Sequence, residues 1–350
     1  MNKVRICVVG MGIGRSNGRA LAANPRGCVT ALCDLYPDRM EAFARELPEP
    51  VRYYTDYREM CQDPDIDAVM VGTPNQLHVP VALEAVRNGK HVLVTKPLAD
   101  SEQAARTLVE AAEQAGVVNM MSLSMRFSDP VQYLGQLAHD GFFGELYYAH
   151  SRSVRRIGIP GANKGVLHFI QKGGGAFRDM GVHYLDAVWW LLGRPQPVSV
   201  LGVAGAQFGP RGQGYWKVEH QPPAEFYRQF AADDYGGGFI RFANGTGLHI
   251  ESFWASHHQE MGQIELFGTE AGALLDPLTL YKTVNESTQD IAVKLPERET
   301  TSWDTLAGHF IDCILDGTPC QAPLRDGLEV QRMMEALLRS AEQGQEIRLD

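Results

Sequence analysis

The sequence combines a glycine turn, an acid and an imidazole within one short stretch. Gly173, Gly174 and Gly175 precede a segment typical of the first turns of a helix, and consecutive glycines allow the backbone to approach a ligand closely. On that helix Asp179 and His183 are four residues apart, so both side chains leave from one face. A carboxylate beside an imidazole fixes the tautomer of the ring and raises its basicity, which suits a general base near neutral pH. An ordinary Asp–His pair on a helix surface would have the same spacing.

Two loops at the ends of predicted strands carry further candidate residues. Thr95-Lys96-Pro97 ends one strand, and the proline fixes the backbone there, so we expect Lys96 to be held in place. A solvated surface lysine is the alternative. The other loop leaves the preceding strand at the carboxyl edge, where parallel sheets bind ligands. Its candidate residues are Thr73, Pro74, Asn75 and His78.

A glycine turn directly follows the first predicted strand. It contains Gly10, Gly12, Ile13 and Gly14, and it opens a helix. In such a turn the glycines let the backbone reach a pyrophosphate, which binds at the helix N-terminus. The fingerprint is imperfect, because position 15 holds an arginine where a glycine is expected. A tight turn without a ligand is the alternative.

An acidic residue ends the second predicted strand at the distance that this fingerprint requires. Asp34 would accept hydrogen bonds from the adenosine ribose hydroxyls, and its charge would repel a 2′-phosphate. Leu35 supplies no compensating cation. The sequence therefore favours NAD over NADP as the cofactor.

The elements that would position these residues fall into two predicted domains. Residues 1–124 alternate short apolar strands with helices, which predicts an α/β dinucleotide-binding (Rossmann) domain with a parallel sheet. Residues 125–350 contain runs of alternating strands, which predict an α+β domain with a large, mostly antiparallel sheet. The first-domain strands are predicted at Val4–Val9, Cys28–Cys33, Ala68–Gly72, Val92–Thr95 and Val117–Met121.

Composition narrows the class of protein. The chain has 350 residues and a formal net charge of -10, which argues against nucleic acid or an anionic membrane as the main partner. The six cysteines form no C-x-x-C pair, and no apolar run approaches the length of a membrane helix. We therefore expect reduced thiols in a cytoplasmic protein without a signal peptide. The adjacent His257 and His258 would point to opposite faces of a strand, and we expect no metal site.

Taken together, these motifs resemble the glucose–fructose oxidoreductase / inositol dehydrogenase / rhizopine-catabolism family (Gfo/Idh/MocA). The resemblance spans nearly the full chain. The segments that carry it are the first glycine turn, Asp34, Thr73-Pro74-Asn75 with His78, Lys96-Pro97, Arg126-Phe127, Gly173–Asp186, Gly236–Phe242, Gly268-Thr269-Glu270 and the helix Pro323–Ala341.

The resemblance implies a catalytic set of Lys96, Asp179 and His183. His183 would take the hydroxyl proton, Lys96 would bind the reacting oxygen and the cofactor ribose, and Asp179 would orient the base or the substrate. One departure affects the proton acceptor, because the family usually has Glu-Lys-Pro and this chain has Thr95 before the lysine. The implied cofactor-binding residues are Gly10, Gly12, Ile13, Gly14, Asp34, Thr73, Pro74, Asn75, His78, Lys96 and Arg126.

The second domain should supply substrate specificity and the contacts of a homodimer or homotetramer. Phe239, Leu248, Ile250 and Phe253 are candidates for the subunit surface, or for the core beneath the helices. C-terminal helices could pack back on the first domain. The candidate substrate residues are Arg152, Arg156, Lys164, His168 and Tyr184.

Three functions fit these residues. The leading one is an NAD-dependent dehydrogenase acting on a secondary alcohol of a sugar, sugar derivative or cyclitol. The second is a lyase, glycosidase or epimerase that oxidises a sugar carbon transiently and regenerates NAD. The third is a cofactor-binding sensor without catalysis, against which the retained Lys96, Asp179 and His183 argue.

Overall fold

A computed structural model describes residues 3–161, 167–218 and 221–349. The chain forms two compact units. Unit 1 comprises Met1–Ser128 and Glu297–Gln331, and unit 2 comprises Asp129–Pro296 and Arg332–Asp350. No helix among the described residues is long and apolar enough to span a membrane.

Unit 1 contains a six-stranded, all-parallel sheet with the strand order β3-β2-β1-β4-β5-β6. The order reverses at β1, and in such sheets ligands bind beyond the carboxyl ends of the strands at this reversal. The strands are β1 (Val4–Val9), β2 (Gly27–Cys33), β3 (Arg52–Tyr54), β4 (Ala68–Val71), β5 (His91–Thr95) and β6 (Asn119–Ser122). The helices between them are α1 (Gly14–Ala23), α2 (Pro37–Ala44), α3 (Tyr57–Gln62), α4 (His78–Arg87) and α5 (Glu102–Ala115).

Buried apolar residues on both faces explain why these strands form the centre of unit 1. All four residues of β4 are fully buried, as expected for a parallel strand covered by helices on both sides. The edge strand β3 has no fully buried residue, and with three residues it is too short to show a clear alternating pattern. Local signals set the helix ends: the Ser101 hydroxyl caps α5 at its start, and Gly116 ends it with φ +63°.

Unit 2 is built on a nine-stranded sheet with the order β14-β13-β12-β11-β7-β10-β9-β8-β15. Its pairs are antiparallel except for β7 with β10, which are parallel. The helices of this part of the chain are α6 (Asp129–His139), α7 (Leu167–Ile170), α8 (Val182–Leu191) and α9 (Ala224–Tyr227). The strands are β7 (Leu146–Val154), β8 (Pro197–Gly205), β9 (Tyr235–Phe242), β10 (Gly247–Phe253), β11 (Met261–Gly268), β12 (Gly272–Leu274), β13 (Thr279–Val284) and β14 (Ser287–Ala292).

The C-terminal segment contributes to both units. Helix α10 (Ser302–Asp316) lies in unit 1 against α1, and it begins with a reciprocal capping box between Thr301 and Asp304. Helix α11 (Leu324–Gln343) is assigned to unit 1 up to Gln331 and to unit 2 beyond it. The last strand, β15 (Ile347–Arg348), pairs with β8.

The predicted fold class is confirmed, with a parallel Rossmann sheet followed by a mostly antiparallel one. Three strands were missed: the edge strand β3, the strand β13 and the short C-terminal strand β15. The assignment of nucleotide binding to residues 1–124 and of substrate binding to 125–350 stays a prediction.

Candidate active site

The first glycine turn lies against the end of β4. Gly10 has φ +87°, and a Cβ atom built on it would lie 2.5 Å from the carbonyl oxygen of Gly72. Only glycine therefore fits at position 10. Gly12 differs, because a Cβ atom there would have no atom within 4 Å. The open space beside Gly12 is what a ligand approaching the turn would need.

Helix α1 starts in close contact with the sheet without a glycine at position 15. A Cβ atom on Gly72 would lie 2.6 Å from the Cα of Gly14, and one on Gly18 would lie 3.1 Å from Cγ2 of Val8 on β1. These glycines supply the close helix–sheet packing that the fingerprint assigns to its third glycine. The side chain of Arg15 is ion-paired with Glu46. The irregular fingerprint is thus compatible with the Rossmann geometry.

Asp34 ends β2 and ties the glycine turn to it. Its Oδ2 accepts the backbone N–H of Met11 at 2.7 Å, and its Oδ1 accepts that of Tyr36 at 3.0 Å. Each carboxylate oxygen keeps a lone pair for a ribose hydroxyl. Sequence reasoning missed Arg39, whose guanidinium lies over the Tyr36 ring at 4.5 Å. An Arg–aromatic pair shortly after the strand-end acid is the signal that would have found it.

The loop after β4 leaves a polar atom beside the turn. Thr73 Oγ1 is buried and has no hydrogen-bond partner among the residues that the structure describes. A Cβ atom on Gly10 would lie 2.8 Å from the backbone nitrogen of Thr73. Thr73 therefore lies next to the glycine turn. Pro74 and Asn75 follow at the start of a short 3₁₀ turn. A buried hydroxyl without a partner and an open space beside Gly12 fit a bound dinucleotide.

His78 holds the two candidate loops together. It is 1% exposed, with Nδ1 2.7 Å from the carbonyl oxygen of Pro97 and Nε2 2.8 Å from that of Thr73. Burial lowers the pKa of His78, and the hydrogen bonds to Pro97 and Thr73 only partly offset this effect. Because both nitrogens face backbone carbonyls, the ring positions the loops.

Thr95 takes part in the same network. Its Oγ1 donates to the carbonyl oxygen of Val71 at 3.1 Å and lies 3.1 Å from His78 Nε2. The side chain of Thr95, which stands where the family usually has glutamate, therefore contacts His78. The adjacent Lys96 is only partly buried.

Arg126 is fully buried within unit 1. Its Nη1 lies 2.7 Å from Asp326 Oδ2 and donates to the backbone oxygen of Gln321. Removing one partner of such a pair leaves an uncompensated buried charge. The structure therefore gives this arginine a role in joining the segment after β6 to the start of α11.

The second glycine turn opens the helix that carries Asp179 and His183. Residues Phe177–Gly181 form a π-helical turn that continues directly into α8. Such turns are rare and frequently occur at functional sites. The Nε1–H of the fully buried Trp254, at the end of β10, donates to Asp179 Oδ2 at 3.1 Å. This hydrogen bond fixes the position of the Asp179 carboxylate.

The glycines of this turn make room for the protein's own groups. A Cβ atom on Gly174 would lie 1.9 Å from the carbonyl oxygen of Phe169, and one on Gly175 would lie 2.0 Å from Asp233 Oδ1. Asp233 Oδ2 accepts the backbone N–H of Phe177 at 3.0 Å. Burial raises the pKa of Asp233. Sequence reasoning missed both Asp233 and Trp254, because they are distant in sequence from the turn.

The candidate substrate residues have separate environments. Arg152 on β7 lies 2.5 Å from Glu251 on β10, on the sheet face opposite to the one that Ser151, Ser252 and the helix occupy. This placement argues against Arg152 as a substrate ligand in the same site as Asp179. Arg156 and His168 are exposed. Tyr184 follows His183 and is partly buried, and burial raises its pKa. Lys164 lies outside the described residues.

The alternation along β9 and β10 separates the four apolar candidates. Leu248 and Ile250 are fully buried and belong to the core. Phe239 and Phe253 are partly exposed on the other face, where they pack on Tyr148 and Tyr235. Only the second pair can contribute to a subunit surface.

Both units match models of one family. Residues 4–123 match the model described as "Oxidoreductase family, NAD-binding Rossmann fold" of GFO_IDH_MocA. Residues 131–274 match the model described as "GFO/IDH/MocA C-terminal domain". The chain belongs to the Gfo/Idh/MocA oxidoreductase family. The predicted family is confirmed, and with it the assignment of the chain as an enzyme.

Relatives in this family match almost the whole chain. It is 29% identical over 331 residues to the D-glucoside 3-dehydrogenase of Escherichia coli (strain K12), covering 92% of this chain and 90% of that one. It is 26% identical over 322 residues to the scyllo-inositol 2-dehydrogenase (NAD(+)) of Bacillus subtilis (strain 168), covering 90% and 87%. A solved levoglucosan dehydrogenase in complex with NADH and levoglucosan has a TM-score of 0.80 at 20% identity and covers 99% of both chains. At that identity the structural match shows the fold alone.

Proposed function

We propose that this Gfo/Idh/MocA enzyme is an NAD-dependent dehydrogenase that oxidises a secondary alcohol of a sugar, sugar derivative or cyclitol. The observation that carries the proposal is the match over 90% or more of this chain to two relatives named as dehydrogenases, one of a glucoside and one of an inositol. The open space beside Gly12 and the buried hydroxyl of Thr73 support a bound dinucleotide.

The proposed cofactor is NAD, which would accept the hydride from the substrate carbon. The glycine turn and the first turn of α1 would hold its pyrophosphate, because backbone N–H groups at a helix N-terminus bind anions. Asp34, held by Met11 and Tyr36, would accept the ribose hydroxyls and disfavour a 2′-phosphate. Arg39 is the cation nearest in sequence that could oppose this preference.

The proposed catalytic residues are Lys96, Asp179 and His183. His183 would accept the hydroxyl proton as the general base. The ammonium group of Lys96 would stabilise the negative charge that develops on the oxygen. Asp179, fixed by Trp254, would orient the imidazole or a substrate hydroxyl group. Tyr184, Arg156, His168 and Lys164 are carried as candidate substrate residues.

Two further assignments complete the proposal. The enzyme would be a cytoplasmic homodimer or homotetramer. The six free cysteines favour a reducing compartment. The partly exposed Phe239 and Phe253, with the exposed Leu201 and Val203 on β8, offer a sheet face for subunit pairing. Light scattering on the purified protein tests this assignment, and a monomer at micromolar concentration would contradict it.

The function is tested by NADH fluorescence with a panel of sugars, inositols and their oxidised forms, with NADP in parallel. We expect NADH to accumulate in proportion to one class of polyol consumed. Tight NAD binding with substrate loss but no net NADH would instead indicate transient oxidation. Binding without any substrate loss would indicate a sensor.

Removal of the proposed base should stop the reaction and leave the cofactor bound. We expect His183→Ala to lower kcat by about 10²–10⁴, the usual contribution of a positioned general base. Its Kd for NAD, measured by fluorescence titration, should equal that of the unmodified enzyme. A strong loss of NAD affinity would contradict the assigned role of His183.

The acid at the end of β2 should control cofactor choice. We expect Asp34→Ser to reduce the preference for NAD over NADP at least about tenfold in kcat/KM, since a repulsive carboxylate is removed. The matched variant Asp34→Ser with Arg39→Gln separates the loss of repulsion from attraction by the arginine. An unchanged ratio in Asp34→Ser would show that another residue reads the ribose.

A further inference from the structure

Two thiols and an imidazole lie together in unit 1, and none of the three belongs to the proposed catalytic or cofactor-binding residues. His309 and Cys313 face each other across one turn of α10, and Cys320 lies in the loop that follows this helix. The nitrogen and the two sulfur atoms all lie within 4.8 Å of one another. Cys313 is 4% exposed, whereas Cys320 and His309 are partly exposed. Cys320 is therefore the more exposed of the two cysteines.

Hydrogen bonds define what the group can do. The backbone N–H of Gln321 donates to His309 Nε2 at 2.9 Å. This nitrogen therefore carries no proton, and its lone pair accepts the hydrogen bond from Gln321. Cys313 Sγ lies 3.5 Å from the same nitrogen. A metal ion bound through Nε2 would have to displace the backbone N–H group. The arrangement thus favours chemistry between the two thiols over metal binding.

The two thiols have opposite acid–base character. The hydrogen bond from Cys313 lowers the pKa of Cys320, although burial opposes this shift. The hydrogen bond with Cys320 and burial raise the pKa of Cys313. Two thiol sulfur atoms within 4.8 Å of each other, one of them on a partly exposed cysteine, are the arrangement that a peroxide-reactive cysteine and its resolving partner require.

The other cysteines lack this arrangement. Cys7, Cys33 and Cys61 are buried, and burial raises the pKa of each thiol. Cys28 is partly exposed like Cys320, but its sulfur lies 3.4 Å from Glu49 Oε2. Burial and the hydrogen bond to that carboxylate raise the pKa of Cys28. It is therefore a matched control within the same chain.

We propose that Cys320 and Cys313 form a site of reversible oxidation by hydroperoxides. The Cys320 thiolate attacks one peroxide oxygen, the O–O bond breaks, and a sulfenic acid forms as hydroxide leaves and is protonated to water. The Cys313 sulfur then attacks the Cys320 sulfur, and the sulfenic oxygen leaves as water with the thiol proton. Two thiols lose two electrons in total, and one hydrogen peroxide becomes two water molecules.

Oxidation at this site would act on a segment that is firmly anchored. Gln321, next to Cys320, accepts a hydrogen bond from the buried Arg126, and the carbonyl oxygen of Ala322 accepts the N–H of Met121 on β6 at 2.8 Å. Closing the disulfide therefore links the end of α10 to a segment bound to the edge of the parallel sheet.

The test uses the full-length enzyme treated with hydrogen peroxide, alkylated and digested with trypsin. Both cysteines fall on one predicted tryptic peptide, residues 299–325. We expect this peptide to become lighter by two hydrogens and resistant to alkylation, and to be restored by a dithiol. In Cys313→Ser, a 1,3-dione probe should label Cys320 as sulfenic acid. In Cys320→Ser, the peptide should remain unoxidised.

The second measurement compares the alkylation rates of Cys320 and Cys28 in the same enzyme. At neutral pH we expect iodoacetamide to alkylate Cys320 at least about tenfold faster than Cys28, because only the thiolate reacts. Cys28→Ser should leave disulfide formation unchanged. Equal alkylation rates, or two free thiols on the peptide after peroxide treatment, would overturn the proposal. So would one Zn²⁺ per chain in the purified enzyme, shielding these thiols until a chelator removes it.

Discussion

The two glycine turns of this enzyme look alike in sequence but differ in what lies at the start of the helix that follows each of them. The turn at Gly10–Gly14 leaves open space beside Gly12 at the start of α1. In the turn at Gly173–Gly175, Gly173 is open, but a carbonyl oxygen fills the space beside Gly174 and the Asp233 carboxylate fills the space beside Gly175. The same carboxylate accepts an N–H from the first turn of the helix. One helix N-terminus is available to an anionic ligand, and the other is capped by the protein itself.

The difference shows that a run of glycines marks close approach without saying what approaches. The sequence suggests a ligand beside both turns, yet at the second one Gly174 makes room for Phe169 and Gly175 makes room for Asp233. A carboxylate fixed there holds the start of the helix that carries Asp179 and His183. We infer that the first turn is shaped for binding, and the second for holding two side chains in register.

The sharpest test of this contrast is a pair of substitutions within the first turn. Gly10→Ala forces a side chain into positive φ and into the carbonyl group of Gly72, so we expect it to lower the free energy of unfolding by about 3 kcal/mol or more. Gly12→Ala meets no atom, so we expect a change within about 0.5 kcal/mol. Denaturant titration measures both.

The same pair should behave differently toward NAD. Gly12→Ala places a methyl group where the pyrophosphate is proposed to lie, and we expect its Kd for NAD to rise at least about tenfold. A stable Gly12→Ala enzyme with unchanged NAD affinity would remove the argument that this turn faces the cofactor.

The second turn should be sensitive in stability and insensitive in cofactor binding. A Cβ atom on Gly175 would lie 2.0 Å from Asp233 at φ +116°, and we expect Gly175→Ala to cost about 2–3 kcal/mol of unfolding free energy. The control is Gly173→Ala, with φ +92° and no atom within 4 Å, for which we expect only the backbone cost of about 1–2 kcal/mol. Equal losses would show that contact with Asp233 is unimportant.

Sequence reasoning worked where the signal is local. The apolar run of β1 predicted the first sheet, and the distance from the glycine turn to Asp34 predicted the strand end that lies beside this turn. Both signals depend on residues that are close in sequence. It failed for Asp233 and Trp254, because both residues contact the helix from segments that are distant in sequence. It also missed the group at Cys320, although the four-residue spacing of His309 and Cys313 was readable.

The loop residues show an intermediate case. Position 78 was predicted as a cofactor contact from its place at the strand edge, and the edge is right. The imidazole, however, lies 2.7 Å and 2.8 Å from two carbonyl oxygens and faces inward. Burial decides between contacting a ligand and supporting the loops that do, and burial depends on packing that a single sequence does not display.

The smallest expected effect concerns the charge at the second turn. Because burial raises the pKa of Asp233, its ionised form is the less favourable one in the folded enzyme. Its contribution to stability is complete below the unfolded-state pKa and is lost as the pH rises through the raised folded-state value.

Asp233→Asn keeps an oxygen that can accept the Phe177 N–H without the charge. We therefore expect this variant to gain stability relative to the unmodified enzyme as the pH rises from about 4 toward neutral. Urea titrations at several pH values measure this difference. Asp233→Ala, which lacks the acceptor, should follow the same pH trend but remain about 1 kcal/mol less stable than Asp233→Asn at every pH. If Asp233→Asn instead loses stability toward neutral pH, the carboxylate charge itself stabilises the helix N-terminus, and the second turn is an anion site like the first.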